Sequence, residues 1–501
     1  MRIQLAVAAL ALAAACARTP IGPVVTPGPV PTPAPRRDPN VVPVIDRELR
    51  GIWFTTVANI DWPSKPGLSE DQQRTELLTL LDRAQAAGMN AIFFHVRPNA
   101  DAVYRSSLEP WASMLSGTQG TDPGWDPLAV AVEESHRRGM QLHAWINPFR
   151  AGSVGDSAKV AANFVSRQRP DIVRAYGPQL WMDPGEPETH DRSMRVVLDI
   201  VNRYDVDGVH LDDYFYPYPL SDSARRPIAF PDSTTYAKYG NGKTLGDWRR
   251  SNVDRFVERL YREVHAAKPA VSVGISPFGI WRPGNPAQVT GLDAYEAISA
   301  DSKRWLQSGW VDYLVPQLYW RIDPPQQSFT ALLDWWLSQN TLGRHVWPGL
   351  AAYRVYSTTN PYPVSEIANQ VAATRARHAT GMVFFNTVTT LSRNNGEIAG
   401  MLRRDYYTDV ALPPASPWMG AVAAAAPTLT VSGGMVSLTP GAGAEPRWWV
   451  VRARAANVWT TRVFFGTARS AMLPPGTDWV VVNAVSASGV TSPDVAWRAG
   501  R

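Results

Sequence analysis

The stretch DGVHLDDYFYPYP, residues 207–219, places two adjacent acids directly after a short run with the pattern of a β-strand. Val209 and Leu211 alternate with His210 and Asp212, and successive side chains of a strand point to opposite faces. The apolar pair therefore predicts a face packed on a core, and the polar pair an opposite face that ends in a carboxylate. Three tyrosines and one phenylalanine follow the acids within residues 214–218, so the strand predicts an acidic site surrounded by aromatic residues.

Seven further runs of this kind alternate with amphipathic helical stretches between residues 50 and 405. The runs are 50–57, 90–98, 141–148, 271–278, 311–320, 345–350 and 381–387, and helices between them include 69–88, 126–139 and 245–267. Gly88 and Gly139 stand where a helix C-terminus favours glycine. Eight strand–helix alternations predict an α/β fold of the (β/α)8 TIM-barrel type. A doubly wound open sheet is the alternative, but no glycine-rich phosphate loop follows the first strand.

The two ends of the chain differ from this barrel segment, residues 46–412. Residues 1–16, MRIQLAVAALALAAAC, carry one positive charge, an apolar run and small residues before Cys16, as a lipoprotein signal peptide does. We expect Cys16 to be lipidated, and an ordinary signal peptide with a coincidental cysteine is the alternative. The Pro-rich residues 17–45 predict an extended tether. Residues 417–501 predict a small β-sandwich that resembles a fibronectin type III module.

Composition narrows the class of protein. The chain has 501 residues, of which 45% are hydrophobic and 19% charged, which is typical of a folded protein. A net charge of +5 without a long basic run argues against nucleic acid as a partner. The 20 tryptophans exceed what a core of this size needs, and a carbohydrate cleft would use the surplus. The single cysteine excludes an internal disulfide. The predicted location is the cell envelope, on a lipid anchor in the outer membrane that faces the periplasm.

The same alternation gives the side chains expected to face the barrel interior near the strand ends. They are His95, Arg97, His143, Trp145, Asn147, His210, Asp212, Tyr214, Ser276, Gln317 and Tyr319. Chemistry in a TIM barrel gathers at the carboxyl ends of the strands, so this polar and aromatic set predicts an active site there. Asp212 is the acid aimed most directly at the mouth. Asp213 has the opposite parity, and it either reaches the cleft, holds Asp212 or only caps the loop.

Several motifs resemble, in order, glycosyl-hydrolase-like family ten. They are RGIWFTTVANIDWP, FFHVRPNADAVYRSSLEPW, HAWINPFR, DGVHLDDYFYPYP, SPFGIWRP, PQLYW and PGLAAYRVY. This family includes a division-associated hydrolase of peptide-free peptidoglycan glycans. The resemblance implies a TIM-barrel glycoside hydrolase without a cofactor that acts on peptidoglycan strands, with envelope or division proteins as candidate partners. Paired carboxylates, one ionised and one protonated, are the usual machinery for such bonds.

The catalytic strand is also loosely similar to that of chitinase-type hydrolases, which carry D-G-x-D-x-D-x-E. Asp207 and Asp212 match this motif, His210 replaces an aspartate, and Tyr214 occupies the position of the acid glutamate. Either Asp212 or Asp213 has therefore taken the acid role, or a carboxylate comes from elsewhere. Gln317 and Tyr319 resemble the pair that steadies a substrate N-acetyl group acting as nucleophile, which predicts an N-acetylated sugar.

The resemblance implies further site residues. Asp301 is either a second catalytic carboxylate or only a helix cap. Arg150 and Arg282 are candidates for binding the lactyl carboxylate of muramic acid. Residues expected to contact substrate, besides the inward set, are Asp101, Tyr104, Trp281, Trp320, Tyr353 and Arg354.

The residues are also compatible with two other classes of protein. The inward histidines His95, His143 and His210, with an aspartate, would suit a metal-dependent deacetylase or amidase. A catalytically inactive glycan-binding lipoprotein is the second, because the expected glutamate is missing from the catalytic strand.

Overall fold

The computed structural model describes residues 38–156, 159–420, 423–443 and 445–500. The predicted signal peptide with Cys16, and residues 17–37 of the predicted tether, lie outside this range. Across the described ranges, no helix is long and apolar enough to cross a membrane.

The central part of the chain forms the predicted barrel of eight parallel strands. They are β1 (Leu49–Phe54), β2 (Ala91–Arg97), β3 (Gln141–Ile146), β4 (Gly208–Leu211), β5 (Ser272–Ile275), β6 (Tyr313–Leu314), β7 (His345–Val346 and Gly349–Leu350) and β8 (Gly381–Phe384). The first half of β7 pairs with β6 and its second half with β8. Because β8 pairs in turn with β1, the ring is closed.

The connections between consecutive strands contain eleven α-helices in the described ranges, of which seven, one in each connection, are the helices of the barrel. They are α1 (Glu70–Ala86), α2 (Pro127–Arg137), α3 (Pro187–Arg203), α4 (Leu245–Ala267), α5 (Ser302–Gln307), α6 (Phe329–Gln339) and α7 (Val364–Ala376). Two short helices, Thr387–Leu391 and Glu397–Met401, follow β8. Ser69 begins α1 with a reciprocal capping box to Gln72. Gly88 and Gly139 follow α1 and α2 with φ of 83° and 74°, which confirms the predicted C-terminal glycines.

The two faces of the strands pack in different layers. Val209 and Leu211 are fully buried in the large cluster that the strands share with the helices. The barrel interior is filled by a second cluster, in which aromatic residues predominate. Its members are Leu49, Trp53, Ala91, Phe93, Trp145, Tyr313, Val315, Trp347 and Val383. The predicted alternation of the strands is therefore confirmed.

The C-terminal residues form a β-sandwich. One sheet contains Thr428–Ser432, Met435–Thr439 and Ser470–Met472, and the other contains Val458–Phe465, Trp448–Ala455, Thr477–Val485 and Val495–Arg498. Trp449, Val480 and Val482 are fully buried in the core of this sandwich. The likeness to a fibronectin type III module stays a prediction.

The sandwich is docked on the amino-terminal end of the barrel. Arg447 donates to Asp207, with atoms 2.6 and 2.9 Å apart, and Asp207 directly precedes β4. Trp418 Nε1 donates to Asp312, 2.8 Å away, and Asp312 directly precedes β6. The ring of His136, from α2, stacks on Phe465 of the sandwich at 4.3 Å between ring centroids. The sandwich therefore covers the end of the barrel opposite the strand ends where Asp212 lies.

The last part of the predicted tether also contacts the sandwich. The side chains of Arg454 and Trp459 donate to the carbonyl oxygen of Pro39, at 3.2 and 2.9 Å. Arg452 donates to the carbonyl oxygen of Pro43 at 2.9 Å. Residues 38–45 thus lie along the outer face of the sandwich before the chain enters the barrel.

Candidate active site

Two adjacent aspartates lie buried at the carboxyl end of β4. Asp212 is 8% exposed and Asp213 is 2% exposed. Asp212 Oδ1 accepts from the backbone N–H of Asp213 at 2.9 Å and from Gln317 Nε2 at 3.2 Å. The hydroxyl of Tyr218 donates a short hydrogen bond to Asp213 Oδ2. Each carboxylate is therefore oriented by a different group, one from the segment after β6 and one from the loop after β4.

The two aspartates differ in how strongly they hold a proton. Burial, and then the charge of Asp213, raises the pKa of Asp212 well above its ordinary value. Burial also raises the pKa of Asp213, but the hydrogen bond from Tyr218 favours its ionised form and opposes the increase. Asp212 therefore favours its protonated form more strongly than Asp213 does, and Asp213 is the more readily ionised of the two. One protonated and one ionised carboxyl group can supply a general acid and a negative charge to the same bond.

Aromatic side chains form the walls beside the acids. Tyr319 stacks on Phe385 with ring centroids 6.0 Å apart, and Tyr353 lies edge-on to both. Burial raises the pKa of the Tyr319 hydroxyl, and the charges of the two aspartates add to the increase. A second aromatic row, Tyr218, Phe278 and Trp320, continues outward from the acids with centroid distances of 6.2 and 5.6 Å. Half-buried aromatic faces of this kind suit the apolar faces of sugar rings.

Tyr214, which occupies the position of the chitinase-type glutamate, lies beside the side chain of Arg150. Arg150 lies in a short strand, Arg150–Ser153, and its guanidinium carbon is 4.8 Å from the centroid of the Tyr214 ring. Burial raises the pKa of the Tyr214 hydroxyl, so this phenol stays neutral. The position of the missing acid is therefore filled by a neutral ring with a cation above it.

The ends of β2 and β3 bring several polar atoms together. The ring of His95 stacks on Trp145 at 3.9 Å. In the described part of the chain, both ring nitrogens of His95, Trp145 Nε1 and Asn147 Oδ1 are buried without a hydrogen-bond partner. The strand register pairs Trp145 with His210, which places Asn147 level with Asp212 on the neighbouring strand. Buried polar atoms of this kind normally have a partner, so this region beside the acid has unused hydrogen-bonding capacity.

Three other predicted substrate contacts lie at the end of β2 and in the loop that follows it. Arg97 is fully buried, pairs with both carboxylate oxygens of Glu109 at 2.6 and 2.7 Å, and donates to the carbonyl oxygen of Asn147 at 2.6 Å. Asp101 accepts from the backbone N–H of Asn99 at 3.1 Å, and burial raises its pKa to about 6. Tyr104 is buried in the main core. The contacts of Arg97 and Asp101 stabilise the loop, and a contact with substrate stays a prediction.

His143 and His210 occupy different levels of the barrel. Trp53 Nε1 donates to His210 Nε2 at 3.1 Å, so the His210 proton lies on Nδ1, which faces the Tyr313 hydroxyl at 3.3 Å. Tyr313 in turn lies 2.9 Å from His143 Nδ1. Ser276 Oγ lies 3.2 Å from His210 Nε2. His143 precedes Trp145 by one inward layer and lies away from the acid pair.

The histidines do not form a metal-binding cluster. Burial lowers the pKa of His95, His143 and His210, so all three rings are neutral. His143 and His210 are linked through Tyr313 rather than directed at a common point. Throughout the ranges that the structure describes, no group of three His, Cys, Asp or Glu side chains is arranged to hold a metal ion. The arrangement of these three histidines therefore does not support the alternative of a metal-dependent deacetylase or amidase.

Asp301 and Trp281 lie together at the start of α5. Asp301 Oδ1 accepts from the backbone N–H of Arg304 at 3.4 Å and from Trp281 Nε1 at 3.0 Å. The ring of Trp281 stacks on Trp335 at 5.8 Å. These contacts show Asp301 as a helix cap, and a role as second carboxylate stays a prediction.

The alternation of the strands did not identify three residues that shape the site. Tyr218 belongs to the opening stretch, yet its contact with Asp213 depends on the path of the loop. Phe385 directly follows β8, and its position immediately after an apolar strand is the feature of the sequence that could have indicated it. Phe278 follows β5 after two intervening residues, in the same kind of position.

The closed barrel and the unequal carboxylate pair at its strand ends define a TIM-barrel enzyme of the type that hydrolyses glycosidic bonds. Residues 48–364 match the sequence profile of the family described as glycosyl hydrolase-like 10, and the chain belongs to this family. It is a glycoside hydrolase.

Known proteins include close relatives of the chain. It is 40% identical over 398 residues to glycosyl hydrolase YngK of Bacillus subtilis (strain 168), with 77% of each protein covered. It is 34% identical over 378 residues to glycosyl hydrolase DigH of Escherichia coli (strain K12), with 71% of the chain and 83% of DigH covered. Among solved structures, the PgaB (BpsB) glycoside hydrolase domain of Bordetella bronchiseptica aligns with a TM-score of 0.47 and 15% identity, over 72% of the chain and 99% of that domain.

Proposed function

We propose that the protein hydrolyses the glycan strands of peptidoglycan, preferring strands from which the peptides have been removed. The observation that carries the proposal is the buried Asp212–Asp213 pair, in which burial and the charge of Asp213 favour the protonated form of Asp212. Asp212 is then the general acid that protonates the glycosidic oxygen of the departing sugar. The flanking aromatic walls and the hydrogen bond from Gln317 support a cleft for N-acetylated sugars.

An N-acetyl group of the substrate acts as the nucleophile in this proposal. As Asp212 gives its proton to the leaving oxygen, the acetamido oxygen bonds to the anomeric carbon and the glycosidic bond breaks. The ionised Asp213 stabilises the positive charge that develops on the acetamido nitrogen. Water then attacks the anomeric carbon as the bond from the acetamido oxygen to that carbon breaks, and the ionised Asp212 takes a proton from the water. No separate protein nucleophile is required, and the configuration of the product is retained.

The place of action is a further part of the proposal. Residues 1–16 have the sequence of a lipoprotein signal, and a lipid on Cys16 would hold the enzyme in the cell envelope, in the outer membrane facing the periplasm. Peptidoglycan is accessible from that location. Envelope or division proteins are candidate partners for the sandwich.

Digestion of purified peptidoglycan tests the proposal. Sacculi, before and after treatment with an amidase that removes the peptides, are incubated with the wild type, Asp212→Asn and Asp213→Asn, and the products are identified by mass spectrometry. We expect the wild type to release new reducing ends, mainly from amidase-treated sacculi, and both variants to lose at least a hundredfold in rate. Asp323→Asn, an exposed surface change, serves as the matched control.

Other outcomes point to other functions. Tight binding without products from either substrate would support a glycan-binding protein. Release of acetate or of peptides, abolished by a chelator, would support the deacetylase or amidase.

A further inference from the structure

Arg150 and Arg282, the two candidates for binding a substrate carboxylate, differ in whether their charge is already paired. Arg282 pairs with Asp293 at 3.2 Å and with Glu296 at 3.5 Å, so its charge is already compensated. Arg150 forms no ion pair with any carboxylate in the part of the chain that the structure describes. Its guanidinium carbon lies 4.8 Å from the centroid of the Tyr214 ring.

Arg150 lies close enough to the acids to act on them. Its charge opposes the increase in the pKa of Asp212 and lowers the pKa of His95. Neither aspartate forms an ion pair with Arg150 in the described part of the chain, and Asp213 is bound by the Tyr218 hydroxyl instead. A half-buried guanidinium is normally stabilised by a nearby anion. Because Arg150 is half-buried and has no such partner in the described ranges, it leaves an uncompensated positive charge on the β3 side of the cleft.

Two polar atoms on the same side of the cleft indicate which neutral group a ligand would carry beside its anion. Trp145 Nε1 is a hydrogen-bond donor, and Asn147 Oδ1 is an acceptor, and both are buried without partners within the described ranges. An acetamido group offers the complementary acceptor and donor. The opposite wall, Tyr319 with Tyr353 and Phe385, presents aromatic rings instead. Arg354 lies on that wall with its guanidinium carbon 5.7 Å from the centroid of the Tyr353 ring, whereas the Arg150 side combines a cation with a donor and an acceptor that are free in the part of the chain that the structure describes.

We propose that Arg150 forms a subsite for the free carboxylate of an N-acetylated sugar bound beside the acid pair. The inference rests on the proposed function and names the group of the substrate that is recognised. In peptidoglycan this carboxylate is the lactyl group of muramic acid, which is a neutral amide while the peptide is attached. A guanidinium binds a carboxylate through two charged hydrogen bonds, which an amide cannot accept in the same way. Arg150 thus selects strands without peptides.

Three soluble oligosaccharides of equal length test the subsite. The first is a peptide-free peptidoglycan oligomer with free lactyl carboxylates, the second is the same oligomer with its carboxylates converted to methylamides, and the third is a chitin oligomer. For the wild type we expect kcat/KM on the first to exceed that on the second by roughly ten- to a hundredfold. Arg150→Gln reduces this ratio to about one, and Arg150→Lys gives an intermediate ratio.

Two further variants control the experiment. Arg282→Gln is expected to keep the wild-type ratio, because its charge is already paired. Arg226→Gln, at an arginine whose side chain is 79% exposed beside Asp222, controls for loss of surface charge. A ratio unchanged in Arg150→Gln, or an equal loss on all three oligosaccharides, would overturn the inference while leaving the proposed function intact.

A binding measurement separates the two proposals. Asp212→Asn, with Arg150 present or replaced by glutamine, is titrated calorimetrically with the first and second oligosaccharides. If the wild type cleaves none of the three substrates, the proposed function fails. Equal affinity for the free and the amidated oligomer would then refute the carboxylate subsite independently of turnover.

Discussion

Gln317 Nε2 lies 3.2 Å from Asp212 Oδ1 and 3.0 Å from the carbonyl oxygen of Ser276, so one side-chain amide joins the acid to the end of the neighbouring strand. Both hydrogens of this amide are used, which fixes the orientation of Gln317 and, through it, of Asp212. An acid held in this way has its geometry set before substrate arrives, and preorganisation of this kind lowers the barrier of the chemical step.

Replacement of Gln317 by glutamate tests this relationship. Gln317→Glu keeps the size of the side chain but removes the donor and places a negative charge beside the acid pair. We expect kcat to fall by roughly ten- to a hundredfold with a smaller change in KM, because the loss concerns proton transfer more than binding. Gln326→Glu, at an exposed position, is the control. A change in KM alone would show that Gln317 only binds substrate.

Tyr218→Phe tests how the proton is distributed in the pair. The hydrogen bond from Tyr218 favours ionised Asp213 and lowers its pKa, so the variant is expected to raise that pKa. The acidic limb of the profile of kcat/KM against pH should move to higher pH. Tyr216→Phe, in the same loop but with its hydroxyl 3.4 Å from Asn252, should leave the limb unmoved. A uniform loss of activity without a shift would contradict this role.

Asp101→Asn tests the cost of the buried carboxylate in the loop after β2. Burial, and then the charge of Glu109, raises the pKa of Asp101 from 3.8 to about 6, so the folded state binds this proton more tightly than the unfolded chain. The wild type should lose stability as pH rises from about 4 through about 6, by about 3 kcal/mol in total. Asparagine does not titrate, so Asp101→Asn lacks this loss of stability with rising pH. The unfolding free energy of the variant minus that of the wild type should therefore increase between about pH 4 and about pH 6.

Guanidinium unfolding at pH 4 and pH 7.5 measures this difference. Asp334→Asn, whose carboxylate is more than half exposed, provides the comparison. A difference between Asp101→Asn and wild type that does not change with pH would disprove the raised pKa.

Arg447→Met tests whether the sandwich is an integral part of the fold. The guanidinium of Arg447 contacts Asp205 and Asp207 and lies 3.0 Å from His136 Nε2. Removal leaves the buried Asp207 without its cationic partner, which is expected to cost about 3–5 kcal/mol of unfolding free energy. Arg469→Met breaks a solvated pair with Glu445 and should cost at most about 1 kcal/mol. Equal effects of the two changes would indicate a loosely attached sandwich.

Alternation along the strands predicted the inner face of the barrel correctly. Trp145 and His210 lie inside the ring, where they contact each other, while Val209 and Leu211 face the helices. The same alternation could not give the level of a residue along the barrel axis. His143 shares its parity with Trp145 but lies one layer lower, because a period of two fixes the side of a strand and not the distance from its end.

Contacts between distant segments lay beyond the sequence pattern. The loop that carries Tyr218 follows its path because the Tyr176 hydroxyl binds the backbone of Leu220 and Ile228 at 2.9 and 3.0 Å. The docking of the sandwich depends on Arg447 meeting Asp207, which are 240 positions apart. Neither relationship has a local signal, because both depend on how complete elements pack.

In the proposed mechanism Asp212 donates a proton to the departing sugar, so the effect of Asp212→Asn should depend on how much protonation the leaving group needs. Rates are compared on an N-acetylated oligosaccharide and on its 4-nitrophenyl glycoside, whose leaving group needs little protonation. We expect Asp212→Asn to lose about 10²- to 10⁴-fold on the natural bond and far less on the nitrophenyl glycoside. An equal loss on both substrates would contradict the assignment of Asp212 as the acid.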